Sequence, residues 1–404
     1  MTIGSQATGS EKRSSHDELL YQLATLVNQT IALNPEIQAA QAALNAAQAN
    51  LIGTDLPLNN PEIEIEAERT DINTLTLRLS QTIDWHDKQA ALTQFAQAEL
   101  AVNKLNIDAL KQTKASEILS AVSEISINKE ISVQSARRSK LLRGFVQLAE
   151  QRFAAGDIAQ SELELARLSL AEAMIEDTEN RLTSIRARND FLSLSGHTLE
   201  NNINYFDRYP GQLPNELDDS SLAQHHPRVK LALQSAQLAR INIHAINQQR
   251  KPDPNIGLSA GREDDEILLA LSLSIPLQTR NDFRSSVDAA QALAIQAEQN
   301  AQQSLRNVLA AIKSARESYG LISDAWSQWT SLGRTSLEQH SVLLETQWQA
   351  GEMSTSEYLL QIKQAIDTRI AGLKLKGGLW NAWSTWLTAS GTLNSWLIIT
   401  AEER

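Results

Sequence analysis

Two short segments of the chain alternate strictly between apolar and polar residues. In IEIEAER, Ile63, Ile65 and Ala67 take turns with Glu64, Glu66 and Glu68. After a polar TDIN, the run LTLRLSQTI sets Leu75, Leu77, Leu79 and Ile83 between Thr76, Arg78, Ser80 and Thr82. Period two on both sides of a tight polar turn predicts a β-hairpin over 62–83. The pattern returns at 255–276, where Ile256, Leu258 and Ala260 precede an acidic EDDE turn and Leu269, Leu271, Leu273 and Ile275 follow it. Most of the remaining chain has helical spacing. From Trp85 to Ala155 there is no proline and one glycine, Gly144. A helix over 85–155 would be a rod of roughly 105 Å at ~1.5 Å per residue. A second helix is predicted over 157–194, where Leu163, Ala166, Leu170 and Ala173 have the spacing of a coiled-coil seam.

The order of elements repeats. Asn34-Pro35 falls within a first helical stretch from about His16 to Leu51, and His226-Pro227 opens the corresponding stretch downstream. Proline at the first helical position suits both. A long helix over 282–350 and a further helix over 354–389 follow the second hairpin. FAAGDIAQSEL, Phe153 to Leu163, matches WQAGEMSTSEY, Trp348 to Tyr358, at four of eleven positions, 195 residues apart. The reading is a flexible lead (1–15), a first repeat (16–196), a linker (197–226), a second repeat (227–391) and a tail (392–404). Each repeat runs helix, strand, strand, long helix, glycine turn, helix, and the fold class is mainly α with a small β part.

Composition narrows the function classes. The 404 residues carry a net charge of −12, which disfavours a nucleic-acid partner. There is no cysteine, which excludes disulfides and thiolate chemistry. No apolar run approaches the ~18 residues of a membrane helix. The polar opening MTIGSQATGSEKRSSHDELL lacks the apolar core of an export signal. A removed signal is the expectation, with a truncated gene product as the alternative.

The hairpins carry the functional question. A lone hairpin is marginal in water, and each of these presents one aliphatic and one polar face. Packing on helices as a small α+β sheet is one solution. The other is closure of a barrel: four strands are too few, but three copies give twelve. The aliphatic face would then point outward and the polar face toward a lumen, as in a transmembrane barrel. The residues expected to face lipid are Ile63, Ile65, Leu75, Leu77, Leu79, Ile256, Leu258, Leu269, Leu271 and Leu273. Trp85, at a strand end, fits an interfacial aromatic.

With its paired NPEI and HPRV helix starts, alternating hairpins and duplicated RFAAGDIAQSEL and QWQAGEMSTSEY turns, the chain resembles the TolC family of outer-membrane efflux channels from about residue 16 to 391. The resemblance implies a homotrimer with a 12-stranded barrel in outer-membrane lipid, continued by a helical tube into the periplasm. It further implies a periplasmic adaptor and an inner-membrane pump as partners. Gly156 and Gly351 would lie at the periplasmic tip that receives the adaptor, and both also suit plain helix C-caps. Glu162 and Glu357, six residues past each glycine, fall where the family often carries an acid near the closed pore. Helix capping is the alternative: Ser354 and Glu357 form a capping-box pattern that Glu162, with Ala159 before it, lacks. The second acid of some members is replaced here by Leu165 and Leu360. The short turns, the acidic linker and HPRV lean toward the heavy-metal branch similar to CzcC.

Trp380, Trp383 and Trp386 are expected in the core, and His225-His226 in a solvated loop rather than a metal site. No catalytic constellation, cofactor site or metal cluster is visible in the sequence. The leading expectation is a passive efflux conduit. The alternative is a soluble coiled-coil scaffold or tether, which has no need of two hairpins with aliphatic faces.

Overall fold

Alternation and helical spacing resolve into the expected succession of elements. The computed structural model describes residues 15–69, 73–199, 213, 218–333, 336–337, 343–344, 346–347 and 352–402. Helices α1 (Ser15–Leu33) and α2 (Pro35–Gly53) precede strands β1 (Glu62–Arg69) and β2 (Asn73–Thr82). Then come α3 (Lys88–Ala155), an unbroken helix of 68 residues, and α4 (Gln160–Ser195). A short α5 (Asp219–His225) lies inside the stretch read as linker, most of which falls outside the described residues. α6 (Pro227–Gln249), β3 (Asn255–Glu263), β4 (Glu266–Ser274) and α7 (Arg284–Gln328) repeat the plan. The long helix read over 282–350 departs from expectation at Trp329–Gly333, where α7 passes into a π-turn, and most of 334–350 lies outside the described residues. Finally come α8 (Thr355–Ser390) and α9 (Leu393–Glu402). α9 lies within the stretch read as tail and is packed: Leu393 and Leu397 are buried, and Trp396 meets Trp383 edge-on with ring centroids 5.0 Å apart. No described helix is long and apolar enough to cross a membrane.

The two sequence repeats are not the two compact units. One unit comprises Met1–Pro35, Lys111–Leu222 and Leu309–Arg404; the other comprises Glu36–Leu110 and Ala223–Val308. Each draws corresponding pieces from both repeats. In the second unit the helices bury chiefly alanine, among them Ala91, Ala96, Ala236, Ala294 and Ala301, so their backbones approach closely. In the first unit Trp380, Trp383 and Trp386 are buried as expected, Trp380 and Trp383 edge to face.

The four strands form one antiparallel sheet in the order β1-β2-β3-β4, so the hairpins join through β2 and β3. β1 and β4 are its edges. Each long helix begins just after a residue with left-handed backbone, Asp87 (φ 53) before α3 and Phe283 (φ 55) before α7. The same bend therefore turns strand into helix in both repeats.

Candidate functional site

Strand register sorts the sheet into two faces. Ile63 sits opposite Leu79, Ile65 opposite Leu77, Leu79 opposite Leu258, and Leu258 opposite Leu271. The ten aliphatic residues read from the sequence therefore share one face. They are between 40% and 78% exposed, so no described helix covers them. A small sheet packed on the described helices would have this face covered, and it is bare. Ile267, opposite Arg262, extends the same face and was missed, because the EDDE run obscured where β4 begins. The other face carries Glu62, Glu64, Glu66, Glu68, Thr76, Ser80 and Ser272. Across it Arg78 pairs with Glu64 at 2.8 Å. Gly261 lies on this polar side, where an added Cβ would stand 2.6 Å from the Leu75 carbonyl oxygen. Glycine is needed there because the neighbouring backbone comes too close for a side chain.

At the end of β2, Asp84 ties the strand to α3. Its carboxylate accepts from the backbone N–H groups of Lys88 and Gln89, both at 2.8 Å, and of His86 at 3.3 Å. Partial burial pushes its pKa up, but these bonds and the Lys88 charge outweigh burial and hold it below the usual value. Lys88 in turn pairs with Asp253 at 2.8 Å. A cavity of about 520 Å³ opens beside this corner, lined by Lys88, Arg250, Lys251 and Phe283 among others. Trp85 projects from the corner, well exposed.

The glycine turn of the first repeat is a helix terminus of Schellman type. Gly156 has φ 83, and the Asp157 N–H reaches back to the Arg152 carbonyl at 2.9 Å. Nothing crowds its α-carbon, so the requirement for glycine is conformational. The matching bond recurs 195 residues on, from the Glu352 N–H to the Gln347 carbonyl at 3.0 Å. Gly351 itself lies outside the described residues. Beneath these turns α3, α4 and α8 share an apolar core in which Phe145 stacks on Tyr358. Tyr358 and Leu163, equivalent in the two repeats, are both buried there.

Glu162 and Glu357 each take part in a cap, by opposite halves of the same motif. The Glu162 carboxylate accepts from the Ala159 N–H at 3.3 Å, although Ala159 has no cap side chain of its own. At the second turn the Ser354 hydroxyl accepts from the Glu357 N–H at 3.2 Å, and the Glu357 carboxylate is left exposed. Higher along the same helices lies a polar layer that the sequence did not reveal. Arg138 of α3 is 2% exposed and binds Glu176 of α4 and, at 3.2 Å, Asp367 of α8. Asn180 donates to Ser135 at 2.6 Å, and Ser139 donates to the Ala173 carbonyl at 2.9 Å. Lys363 bonds Glu172, and this bond above all holds the Glu172 pKa below its ordinary value.

His226 departs from expectation. It is buried, and its Nδ1 accepts from the Arg228 N–H at 3.1 Å as the cap of α6. An imidazole that closes a helix start does not lie in a solvated loop. Among the described residues no three His, Asp or Glu side chains gather in a way that could hold a metal ion.

Solved structures share this arrangement. The Campylobacter jejuni CmeC outer membrane channel superposes with a TM-score of 0.76 at 14% identity, over 99% of this chain and 94% of that one. The Neisseria gonorrhoeae MtrE outer membrane channel in its open state gives 0.75 at 13%, over 97% and 96%. CusC, whose structures record conformational changes accompanying folding and transmembrane channel formation, gives 0.74 at 16%, over 96% and 99%. The chain has the TolC-like fold. No protein-family model matches the sequence, and a search of curated proteins finds no match. The TolC-like fold is thus carried by the order of elements and by patterning, with little residue identity.

Proposed function

We propose that this chain is one subunit of a homotrimeric outer-membrane channel, the passive exit of a tripartite efflux system. The observation that carries the reading is the sheet: an uncovered aliphatic face, a polar face and two unpaired edges in one TolC-like chain. Three such sheets joined edge to edge make a twelve-stranded barrel with lipid outside and polar groups within. The same reading has the helical tube in the periplasm and Trp85 at the membrane interface. Gly156 and Gly351 then belong to the tip that meets a periplasmic adaptor, which couples the channel to an inner-membrane pump. Glu162 and Glu357 are proposed to line the narrow tip opening, with their capping bonds holding them at the helix starts. No chemistry is performed, because the substrate passes through a water-filled conduit.

The narrower proposal, heavy-metal cations as the cargo of a CzcC-like channel, rests on the short turns, the acidic linker and the HPRV helix start. A strain lacking the gene would then lose tolerance to divalent metals and keep its tolerance to drugs. The channel itself is tested by native mass measurement in detergent and by membrane fractionation. Three copies are expected, in the outer-membrane fraction. A stable monomer with its full β content, in the soluble fraction, would return the chain to the coiled-coil scaffold class.

A further inference from the structure

The cavity beside the Asp84 corner reverses the charge of the chain. Lys88, Arg250 and Lys251 line it against Asp253, the one acid among its described lining residues, although the whole chain stands at −12. Asp253 is already taken, by Lys88 at 2.8 Å. The Asp282 carboxylate close by is taken by Arg284, also at 2.8 Å. Arg250 and Lys251 are left with neutral partners. Arg250 donates from Nε to the Asn247 side chain at 2.9 Å and from Nη1 to the Asp282 carbonyl at 3.1 Å. Lys251 donates to the Gln248 side chain at 2.6 Å. Two adjacent cations held by neutral oxygens keep their capacity to meet an anion, and bonds to an ionised group are the stronger kind.

The internal repeat shows that the fold itself asks for none of this. A helix C-terminus favours basic residues, and Arg250 and Lys251 follow α6 directly. Yet α2 ends at the corresponding place, and the stretch between it and Pro61, TDLPLNN, contains no basic side chain. The left-handed bend before the long helix differs in the same way. The first repeat has Asp87 there, a residue type that tolerates such a backbone, whereas the second has Phe283 at φ 55. A bulky aromatic is strained in that conformation, and strain of this kind gathers at ligand sites. Phe283 is 44% exposed and lines the cavity.

We propose that this cavity binds a small organic anion, one acidic group on an apolar body. Its volume of about 520 Å³ falls within the roughly 300–1,000 Å³ of small-molecule sites. Arg250 and Lys251 take the acidic group, and Ile246, Pro252, Pro276 and Phe283 form the apolar wall. A bare anion needs no such wall, and a neutral molecule needs no cations; the lining offers both. Every lining residue belongs to the second compact unit of a single chain, so the site does not depend on a trimer. Thr82 and Ser274 in the lining continue the polar face of the sheet, which puts the site on the conduit side. That placement alone rests on the channel reading.

Phenyl phosphate is the probe, with inorganic phosphate as the bare anion and benzyl alcohol as the uncharged body. Binding to the full-length protein in detergent is followed by titration calorimetry, with native mass and circular dichroism recorded for every variant. Phenyl phosphate should bind saturably, at least about tenfold more tightly than either comparator. Arg250→Gln and Lys251→Gln, made separately, should each weaken it about tenfold, the loss of one charge-assisted hydrogen bond. Lys251→Arg should keep most of the affinity, and Arg240→Gln, on α6 outside the lining, should keep all of it. If Arg250→Gln disturbs the fold, Lys251→Gln decides. Wild-type affinity in a folded Lys251→Gln, or inorganic phosphate bound as tightly as phenyl phosphate, would overturn the proposal. A trimeric mass without saturable binding would remove the site and leave the channel standing. A monomeric mass with binding intact would do the reverse.

Discussion

Arg138 is the residue on which three helices of the first unit converge. Its guanidinium is out of water, and two carboxylates from α4 and α8 compensate it. Breaking such a pair costs more than the pair gains, since the groups left behind keep their desolvation. Arg138→Ala should therefore destabilise the helices by about 3 kcal/mol, toward the low end of the range for buried pairs because Glu176 and Asp367 are partly exposed. Arg138→Met combined with Glu176→Gln and Asp367→Asn should recover much of that loss. Thermal unfolding followed by circular dichroism would check the order; a triple variant no better than Arg138→Ala would mean that packing volume, and not charge, is what matters there. Nothing in the run SARRSK distinguishes Arg138 from the exposed Arg137. The distinction comes only from which face of α3 meets α4.

At the scale of elements, the strands were readable because a two-residue period and aliphatic side chains coincide. The seam of α4 was readable for the same kind of reason. α3 was readable in extent but not in facing: Ile118, Leu119, Val122 and Ile125 are all buried, and a helix covered on several sides shows no single stripe. The π-turn at Trp329–Gly333 has no local composition that announces it, and the capping by Glu162 was hidden by Ala159. Register now makes the sheet testable position by position. Leu271→Arg puts a charge on the aliphatic face and should cost about 2–4 kcal/mol if it lies near the bilayer midplane. The adjacent Ser272→Arg points to the other face and should be tolerated, with a change in conductance. Equal losses at both positions would mean that the strands do not form a barrel wall.

For the whole molecule, interleaving is the main point that sequence halves could not convey: each compact unit needs both repeats, so neither repeat is a domain. Charge follows the same division of labour. The polar face of the sheet holds six glutamates, Glu62, Glu64, Glu66, Glu68, Glu263 and Glu266, against one arginine, Arg78. If that face lines a lumen, the pore should prefer cations. The reversal potential in a salt gradient across a planar bilayer should shift toward the cation. Glu66→Gln/Glu68→Gln should reduce the shift, as should Glu162→Gln/Glu357→Gln at the proposed tip opening. Anion preference in the wild type would contradict the assignment of faces. The buried arginine, finally, bears on how such a molecule assembles without error. A seam that repeats every seven residues fits nearly as well when one helix slides by a heptad, and a chain with helices this long has many such near-fits. A slide of α4 by seven residues would bring Ser169 or Thr183 opposite Arg138 in place of Glu176 and strand a charge in the core. One side chain thus rejects the misaligned pairings that the hydrophobic pattern alone would accept.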